Sequence, residues 1–342
     1  MRRLRGAIWI VLQVLVLAFA VHILLPEIAG VKATLEAVGH SSWVVIPIVL
    51  GLETLSFVAY GELIRVFLGA TGVHVSSGTA LKAVLAGTAL GRTLPGGTTA
   101  ALAVMTRTLS RLGTQTSATA AGLAGSGMLS SLVLALLLPL AAALALVGRR
   151  LGGVLLGSAS LAAIAVLVLT VGIRPVLARP QMLARWVEGA AAFVARGPLR
   201  RRVDPEVIGK SAEHAISSLD AIASSPRRLG KGVGWAAANW LFDAAALFSL
   251  AMTIGRGMPL WGVLMAYVIG QLVAALPITP GGVGIVEPAM TATLVAQGAG
   301  GGAAAATVLA WRAASNWLPI AVGLGIFPTL RAREAHRASP EK

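Results

Sequence analysis

The residues of this sequence that could do chemistry are charged side chains within apolar stretches. Glu53 lies mid-way along 43–61, Asp243 lies within 233–254, and Glu287 follows a Pro-Gly-Gly turn. Burying an ionisable group in a hydrocarbon environment is costly, so each is a candidate for substrate binding or charge transfer. The other members of the set are Arg92, Arg107 and Arg312, with Asn316 one helical turn after Arg312.

These side chains predict a polar cavity that binds a phosphate-bearing group. Guanidinium groups bind phosphate through paired hydrogen bonds, and a helix that begins after a Pro-Gly-Gly turn adds free backbone N–H groups. In this interpretation Arg92, Arg107 and Arg312 hold the phosphate. Glu53, Asp243 or Glu287 balances the charge or carries protons. The structural alternative is that the acids and bases neutralise one another and fix helix packing; for Glu287 and Arg312 together we favour function.

Two Pro-Gly-Gly turns occur at equivalent places in the chain. Residues 95–113 align without a gap on residues 280–298, and eight of nineteen positions are identical. Paired helix interruptions in two halves of a membrane protein are typical of transporter substrate sites. We therefore predict broken or re-entrant segments in an internal repeat, although two purely structural helix breaks are the alternative. The turn residues assigned to binding are Pro95, Gly96 and Gly97 in the first copy and Pro280, Gly281, Gly282 and Gly284 in the second.

The composition requires a membrane environment. Of the 342 residues, 56% are hydrophobic and 12% are charged, whereas about 25% are charged in soluble domains. The net charge is +15, but the high apolar content excludes a nucleic-acid-binding protein. The sequence has no Cys, and its five His residues are scattered. We therefore predict no metal site, no cofactor and no enzyme motif.

The apolar stretches predict an all-α polytopic membrane protein with about eight transmembrane helices, since about 20 apolar residues are needed to cross the bilayer core. Basic residues concentrate on the cytoplasmic side of membrane proteins, so both termini are expected in the cytoplasm and the protein in the inner (plasma) membrane. The predicted spans are 7–25, 43–61, 117–147, 153–173, 233–254, 259–277 and 303–328, with shorter apolar stretches at 79–94, 98–112 and 283–298.

The predicted domains are two transmembrane halves joined by a basic loop. The halves cover 1–173 and 233–330, the loop covers 174–232, and a cytoplasmic tail covers 331–342. Two amphipathic helical stripes in the loop predict binding to an anionic leaflet. A helical hairpin packed on the cytoplasmic end of the bundle explains them equally well.

The second Pro-Gly-Gly region resembles the transmembrane region of lysylphosphatidylglycerol synthases, which also occurs alone in flippase-like proteins. The similarity rests on the run from Ala275 to Glu287 and on Trp311-Arg312 and Asn316-Trp317-Leu318-Pro319, and Gly91–Gly97 resembles the family's first-half motif. It covers roughly residues 5 to 330. The family pattern carries over onto Pro280, Gly281, Gly282, Gly284, Glu287 and Arg312.

The resemblance implies movement of a lipid between leaflets, either an aminoacylated phospholipid or a polyprenyl-linked carrier. No soluble aminoacyl-transferase domain follows in the sequence as far as Lys342, so synthesis of lysylphosphatidylglycerol is not expected. Leu102 stands where the second copy has Glu287, so the two turns are not expected to be equivalent.

We therefore predict a flippase-like lipid transporter with membrane lipids as its partners. Two alternatives are a secondary transporter of a soluble anion or small solute, and a non-transporting membrane subunit for a lipid-modifying or glycosyl-transferring partner.

Overall fold

A computed structural model describes residues 43–93, 97–110, 114–147, 222, 224–254, 258–275 and 279–326. The predicted spans 7–25 and 153–173, the tail 331–342 and nearly all of the loop 174–232 lie outside these residues.

The described residues form eight α-helices and no strand, which confirms the prediction of an all-α polytopic membrane protein. The helices are α1 (Val45–Ala70), α2 (Ser77–Thr93), α3 (Gly97–Ser110), α4 (Thr116–Val147), α5 (Pro226–Ile254), α6 (Leu260–Ala274), α7 (Val286–Ala296) and α8 (Gly301–Arg312). A 3-10 turn at Pro280–Gly282 precedes α7, and α8 continues through a π-helical turn at Ala313–Trp317 into helical residues 318–326.

Three of the described helices are long and apolar enough to cross a membrane. They are α1, the Thr116–Ala141 part of α4, and α5, while α6 is a shorter apolar helix. These lengths agree with the roughly 20 residues that a span requires. The count of about eight spans and the re-entrant path of the short helices remain predictions.

The order of long, short, short and long helices occurs twice. The first unit is α1 to α4 and the second is α5 to α8. In each unit the helix after the turn packs closely on the helix before it. A Cβ atom at Gly87 would lie 2.5 Å from Met105 Cγ, and one at Gly270 would lie 2.5 Å from Met290 Cγ. Met105 and Met290 are aligned positions of the two copies, so each unit has a close glycine-to-methionine contact between its two short helices.

The second unit extends further toward the basic loop than the hydropathy pattern indicates. Helix α5 begins at Pro226, inside the predicted loop 174–232. Proline suits the first turn of a helix, because its missing N–H has no partner there in any case. Arg227, Arg228 and Lys231 therefore lie in the first turns of α5.

Candidate functional site

The second Pro-Gly-Gly turn packs between the two units. Gly281, Gly282 and Gly284 have φ values of 62°, 70° and 81°, a region that residues with a side chain rarely adopt. A Cβ atom at Gly281 would lie 3.2 Å from the carbonyl oxygen of Arg92, the penultimate residue of α2. The turn therefore needs glycine both for its backbone conformation and for its close approach to the first unit.

Arg312 connects α8 to this turn and to the start of α7. Its Nε donates to Glu287 Oε1 at 2.6 Å, and its Nη2 donates to the carbonyl oxygen of Gly281 at 2.9 Å. The other carboxylate oxygen of Glu287 accepts a hydrogen bond from the backbone N–H of Gly284 at 2.8 Å. The side chains of Arg312 and Glu287 are only 5% and 12% exposed, so this ion pair is largely withdrawn from solvent. Charged groups in such surroundings must be paired, and here the pair also stabilises the turn.

Arg92 approaches the same region from the first unit. Its Nη1 donates to the backbone carbonyl oxygen of Ser315, which lies in the π-helical turn after α8. A π-helical turn shifts the backbone hydrogen-bond register, and such turns are frequent at functional sites. The two guanidinium groups, of Arg92 and Arg312, are near enough to repel each other electrostatically.

Buried polar atoms of Asn316 and Thr279 lie at or next to this turn without a hydrogen-bond partner in the described part of the chain. Both amide atoms of Asn316, Oδ1 and Nδ2, and the hydroxyl oxygen of Thr279 have no hydrogen-bond partner among the residues that the structure describes. Asn316 is 2% exposed, and its Oδ1 lies 3.7 Å from where a Cβ atom on Gly281 would be. An unpaired buried polar group costs about 1–3 kcal/mol, so these atoms are suited to a ligand. We call Arg92, Thr279, Gly281, Glu287, Arg312 and Asn316 the turn site.

A second polar cluster is centred on Asp243 of α5. Its Oδ2 accepts hydrogen bonds from the hydroxyl of Tyr267 at 2.9 Å and from Nε2 of Gln271 at 3.1 Å. Its Oδ1 accepts a hydrogen bond from Nε1 of Trp311 at 2.8 Å. Three donors from α6 and α8 directed at one carboxyl group favour its ionised form.

Glu53 of α1 lies beside Asp243, near enough for the two carboxyl groups to interact. Glu53 is 4% exposed, and its Oε1 has no hydrogen-bond partner within the described part of the chain. One turn away, Ser56 and Asn239 fasten α1 to α5: Ser56 Oγ donates to the carbonyl oxygen of Asn239 at 3.0 Å, and Asn239 Nδ2 donates to the carbonyl oxygen of Ser56 at 3.1 Å. The carboxyl pair Glu53–Asp243 thus lies at the contact between the first helices of the two units.

Arg92 is electrostatically linked to both clusters. It interacts with the charges of Glu53 and Asp243 as well as with that of Arg312. Arg92 therefore lies within electrostatic reach of both the turn site and the carboxyl pair.

The structure brings most of the sequence-predicted site residues together. Arg92, Gly281, Gly282, Gly284, Glu287, Arg312 and Asn316 surround the second turn, with Pro280 in it, and Glu53 and Asp243 form the adjacent pair. Arg107 is not brought to them, because it lies exposed on α3. Pro95 and Gly96 lie outside the described residues, and Gly97 begins α3.

Sequence reasoning missed Thr279, Tyr267, Gln271, Trp311 and Ser315. One signal was available: Gln271 is the only amide side chain in the apolar helix α6, and Tyr267 lies one turn before it on the same face. A polar residue in such a helix is a candidate for a buried contact.

The sequence matches the family model described as the lysylphosphatidylglycerol synthase TM region over residues 10–323. A search of curated proteins finds no match.

Proposed function

The chain belongs to the lysylphosphatidylglycerol synthase transmembrane-region family, and from that membership and the turn site we propose that it moves a phosphate-bearing lipid between leaflets. The family establishes a multi-pass membrane protein in a lipid-related process. The observation that carries the proposal of lipid transport is that two guanidinium groups and a buried amide, which has no partner among the described residues, meet at one glycine turn.

The charges of the turn site favour an anionic head group. Arg92 and Arg312 are cations, whereas Glu287 is the single carboxylate among the six residues of the site. The site therefore has one positive charge in excess, which a phosphodiester neutralises. The amide of Asn316 and the hydroxyl of Thr279 supply neutral hydrogen bonds to the remaining head-group atoms.

The family and the apolar outer surface both support a lipid substrate. Large hydrophobic side chains, such as Leu55, Leu241 and Leu272, are exposed on three different helices, as expected where acyl chains cover a protein. The head group occupies the turn site while its tails remain in the bilayer. We place the protein in the plasma membrane with both termini in the cytoplasm and the 174–232 segment on the anionic leaflet. In this proposal it acts as a transporter without a metal or cofactor.

The test combines lipid retention with lipid movement. Native mass spectrometry of the protein extracted with its lipids would compare wild type with Arg92→Gln, using Arg107→Gln on exposed α3 as the matched control. Proteoliposomes with fluorescent phospholipids would measure transfer between leaflets. We expect wild type and Arg107→Gln to retain one phosphate-bearing lipid class and to move it, and Arg92→Gln to lose both properties.

The contrary outcomes are distinct. An unselective lipid profile with no transfer would overturn the proposal. Retention of inorganic phosphate but of no lipid would indicate transport of a soluble anion. A lipid that is retained but never moved would indicate a non-transporting subunit for a lipid-modifying enzyme.

A further inference from the structure

The carboxyl pair Glu53–Asp243 contains a buried acidic group that the lipid site does not use. Asp243 is held by three donors, whereas Glu53 Oε1 has no partner among the described residues. Two adjacent carboxyl groups in a low-dielectric environment do not both ionise, so one of them holds a proton. Because the three hydrogen bonds favour an ionised Asp243, the proton resides on Glu53.

The charges around the pair agree with this assignment. The ionisable groups that surround it are Asp243 from α5, Tyr267 from α6, Arg92 from α2 and, beyond Arg92, Arg312 from α8 with its partner Glu287 from α7. Helix α4 contributes no ionisable side chain between Thr116 and Val147. Two arginines and the two carboxylates Asp243 and Glu287 cancel, so the buried assembly is neutral only when Glu53 is protonated.

We infer that Glu53 is a proton-binding site coupled through Arg92 to the phosphate site, so that lipid and proton move together. This inference rests on the proposed function and names the energy source of the transport. A phosphate bound at the turn site neutralises part of the positive charge of Arg92. Since that charge favours ionisation of Glu53, its loss makes Glu53 hold its proton more firmly. By linkage, a protonated Glu53 strengthens phosphate binding by the same factor.

The coupling gives transport a direction. On the acidic side, the proton and the phosphate head group bind together. On the alkaline side, Glu53 loses its proton, and the negative charge that remains expels the phosphate. The only bond that changes in this cycle is the O–H bond of Glu53, which forms when the proton binds and breaks when the proton leaves.

The experiment uses the full chain in proteoliposomes with a pH gradient of two units. For wild type, we expect transfer of a fluorescent phospholipid toward the alkaline side to be at least about tenfold faster than without the gradient, within the limit of about a hundredfold that two pH units set through the proton concentration. Glu53→Gln mimics the protonated acid and should still bind the lipid, but its transfer rate should not respond to the gradient. Glu62→Gln is the matched control on the same helix, because Glu62 pairs with Arg65 away from the site; it should respond as wild type does.

A binding measurement provides an independent readout. Calorimetry of short-chain phosphatidylglycerol binding in two buffers of different ionisation enthalpy counts the protons taken up. At a pH high enough to ionise Glu53 in the lipid-free protein, we expect uptake approaching about one proton per lipid for wild type and none for Glu53→Gln; at lower pH, where Glu53 already holds its proton, the uptake by wild type should fall toward zero.

The outcomes separate this inference from the proposed function. If wild type moves lipid at a rate that ignores the gradient and binds it without proton uptake, the coupling is wrong while lipid transport stands. If wild type neither binds nor moves lipid, the proposed function itself fails. The wild-type measurements decide the matter even if the Glu53→Gln variant does not fold.

Discussion

Arg92 donates a hydrogen bond to the backbone carbonyl oxygen of Ser315, and this bond joins the end of α2 in the first unit to the π-helical turn of the second. Arg92 is also the residue whose carbonyl oxygen lies against Gly281. Its side chain and its backbone therefore hold both elements of the second unit that form the turn site. A phosphate that binds the remaining N–H groups of this guanidinium would therefore lie beside the contact between the two units.

Substitution of Asn316 distinguishes a role of this side chain in lipid binding from a role in protein stability. Asn316→Leu removes two buried polar atoms that have no hydrogen-bond partner among the described residues. Because an unsatisfied buried polar group costs about 1–3 kcal/mol, the variant should be as stable as wild type or more stable. Lipid retention should nevertheless fall about tenfold, because the variant loses about one hydrogen bond to the charged head group. Thermal unfolding in detergent and native mass spectrometry measure the two effects.

Asn239→Leu is the control for this prediction. Asn239 donates hydrogen bonds to the backbone oxygen of Ser56 at 3.1 Å and to its hydroxyl at 2.9 Å, so the same substitution should lower the thermal midpoint. The binding role would be refuted if Asn316→Leu retained lipid at the wild-type level.

Arg312 should not tolerate replacement by lysine. Its Nε and Nη2 atoms bond to Glu287 and to the Gly281 carbonyl oxygen at the same time, and a single ammonium group does not reproduce this planar geometry. Loss of one hydrogen bond within a buried ion pair should lower the free energy of unfolding by roughly 1–3 kcal/mol. Lipid transfer in proteoliposomes should fall at least about tenfold.

The matched substitution is Arg107→Lys. Arg107 is exposed on α3, so both its stability and its transfer rate should stay near wild type. Equal behaviour of the two lysine variants would show that the geometry of Arg312 is unimportant.

The sequence predicted the helical membrane fold because apolar length and the scarcity of charge translate directly into helices that a bilayer can accommodate. It also predicted the neighbours of the second turn. Gly281, Glu287 and Arg312 lie within residues 281–312, where a glycine turn and charged side chains stand out from an apolar background. The offset of the two Pro-Gly-Gly copies indicated the repeated order of helices that the described residues show.

The partners of Asp243 could not be predicted in the same way. Tyr267, Gln271 and Trp311 come from two different helices, and their meeting depends on how each helix is rotated about its axis. A helix that is apolar on nearly all sides carries no periodic signal of that rotation. The same reason explains Arg107: a single charge on the short helix α3 did not reveal which face points inward.

The contact between Gly270 and Met290 should be coupled in a double-mutant cycle. A Cβ atom at Gly270 would lie 2.5 Å from Met290 Cγ, and Met290 is 0% exposed, so it has no room to move aside. Gly270→Ala should therefore cost about 1–3 kcal/mol, the usual penalty of overpacking. In a Met290→Ala background the cost should largely disappear, because the added methyl group fills part of the cavity.

Gly127→Ala provides the reference for that cycle, since a Cβ atom there meets nothing within 4 Å. Thermal unfolding of wild type and all the variants in one detergent gives the differences in unfolding free energy. Independent, additive effects of Gly270→Ala and Met290→Ala would mean that the two short helices do not pack as described.

Gly281→Ala should disturb the turn site through backbone strain and through a steric contact, and Gly284→Ala separates these two effects. Gly281 and Gly284 both have positive φ values, 62° and 81°, so alanine at either position should cost about 1–2 kcal/mol of backbone strain. Only Gly281 also approaches the carbonyl oxygen of Arg92, at 3.2 Å from its added Cβ atom, whereas a Cβ atom at Gly284 meets nothing within 4 Å. Gly281→Ala should therefore be less stable than Gly284→Ala and should also displace Arg92 from Ser315.

Lipid transfer should fall in Gly281→Ala but not in Gly302→Ala, which places a methyl group in open space at the start of α8. Equal thermal midpoints for Gly281→Ala and Gly284→Ala would show that the turn does not press against the first unit, and Arg92 would then reach the turn site without the support of that contact.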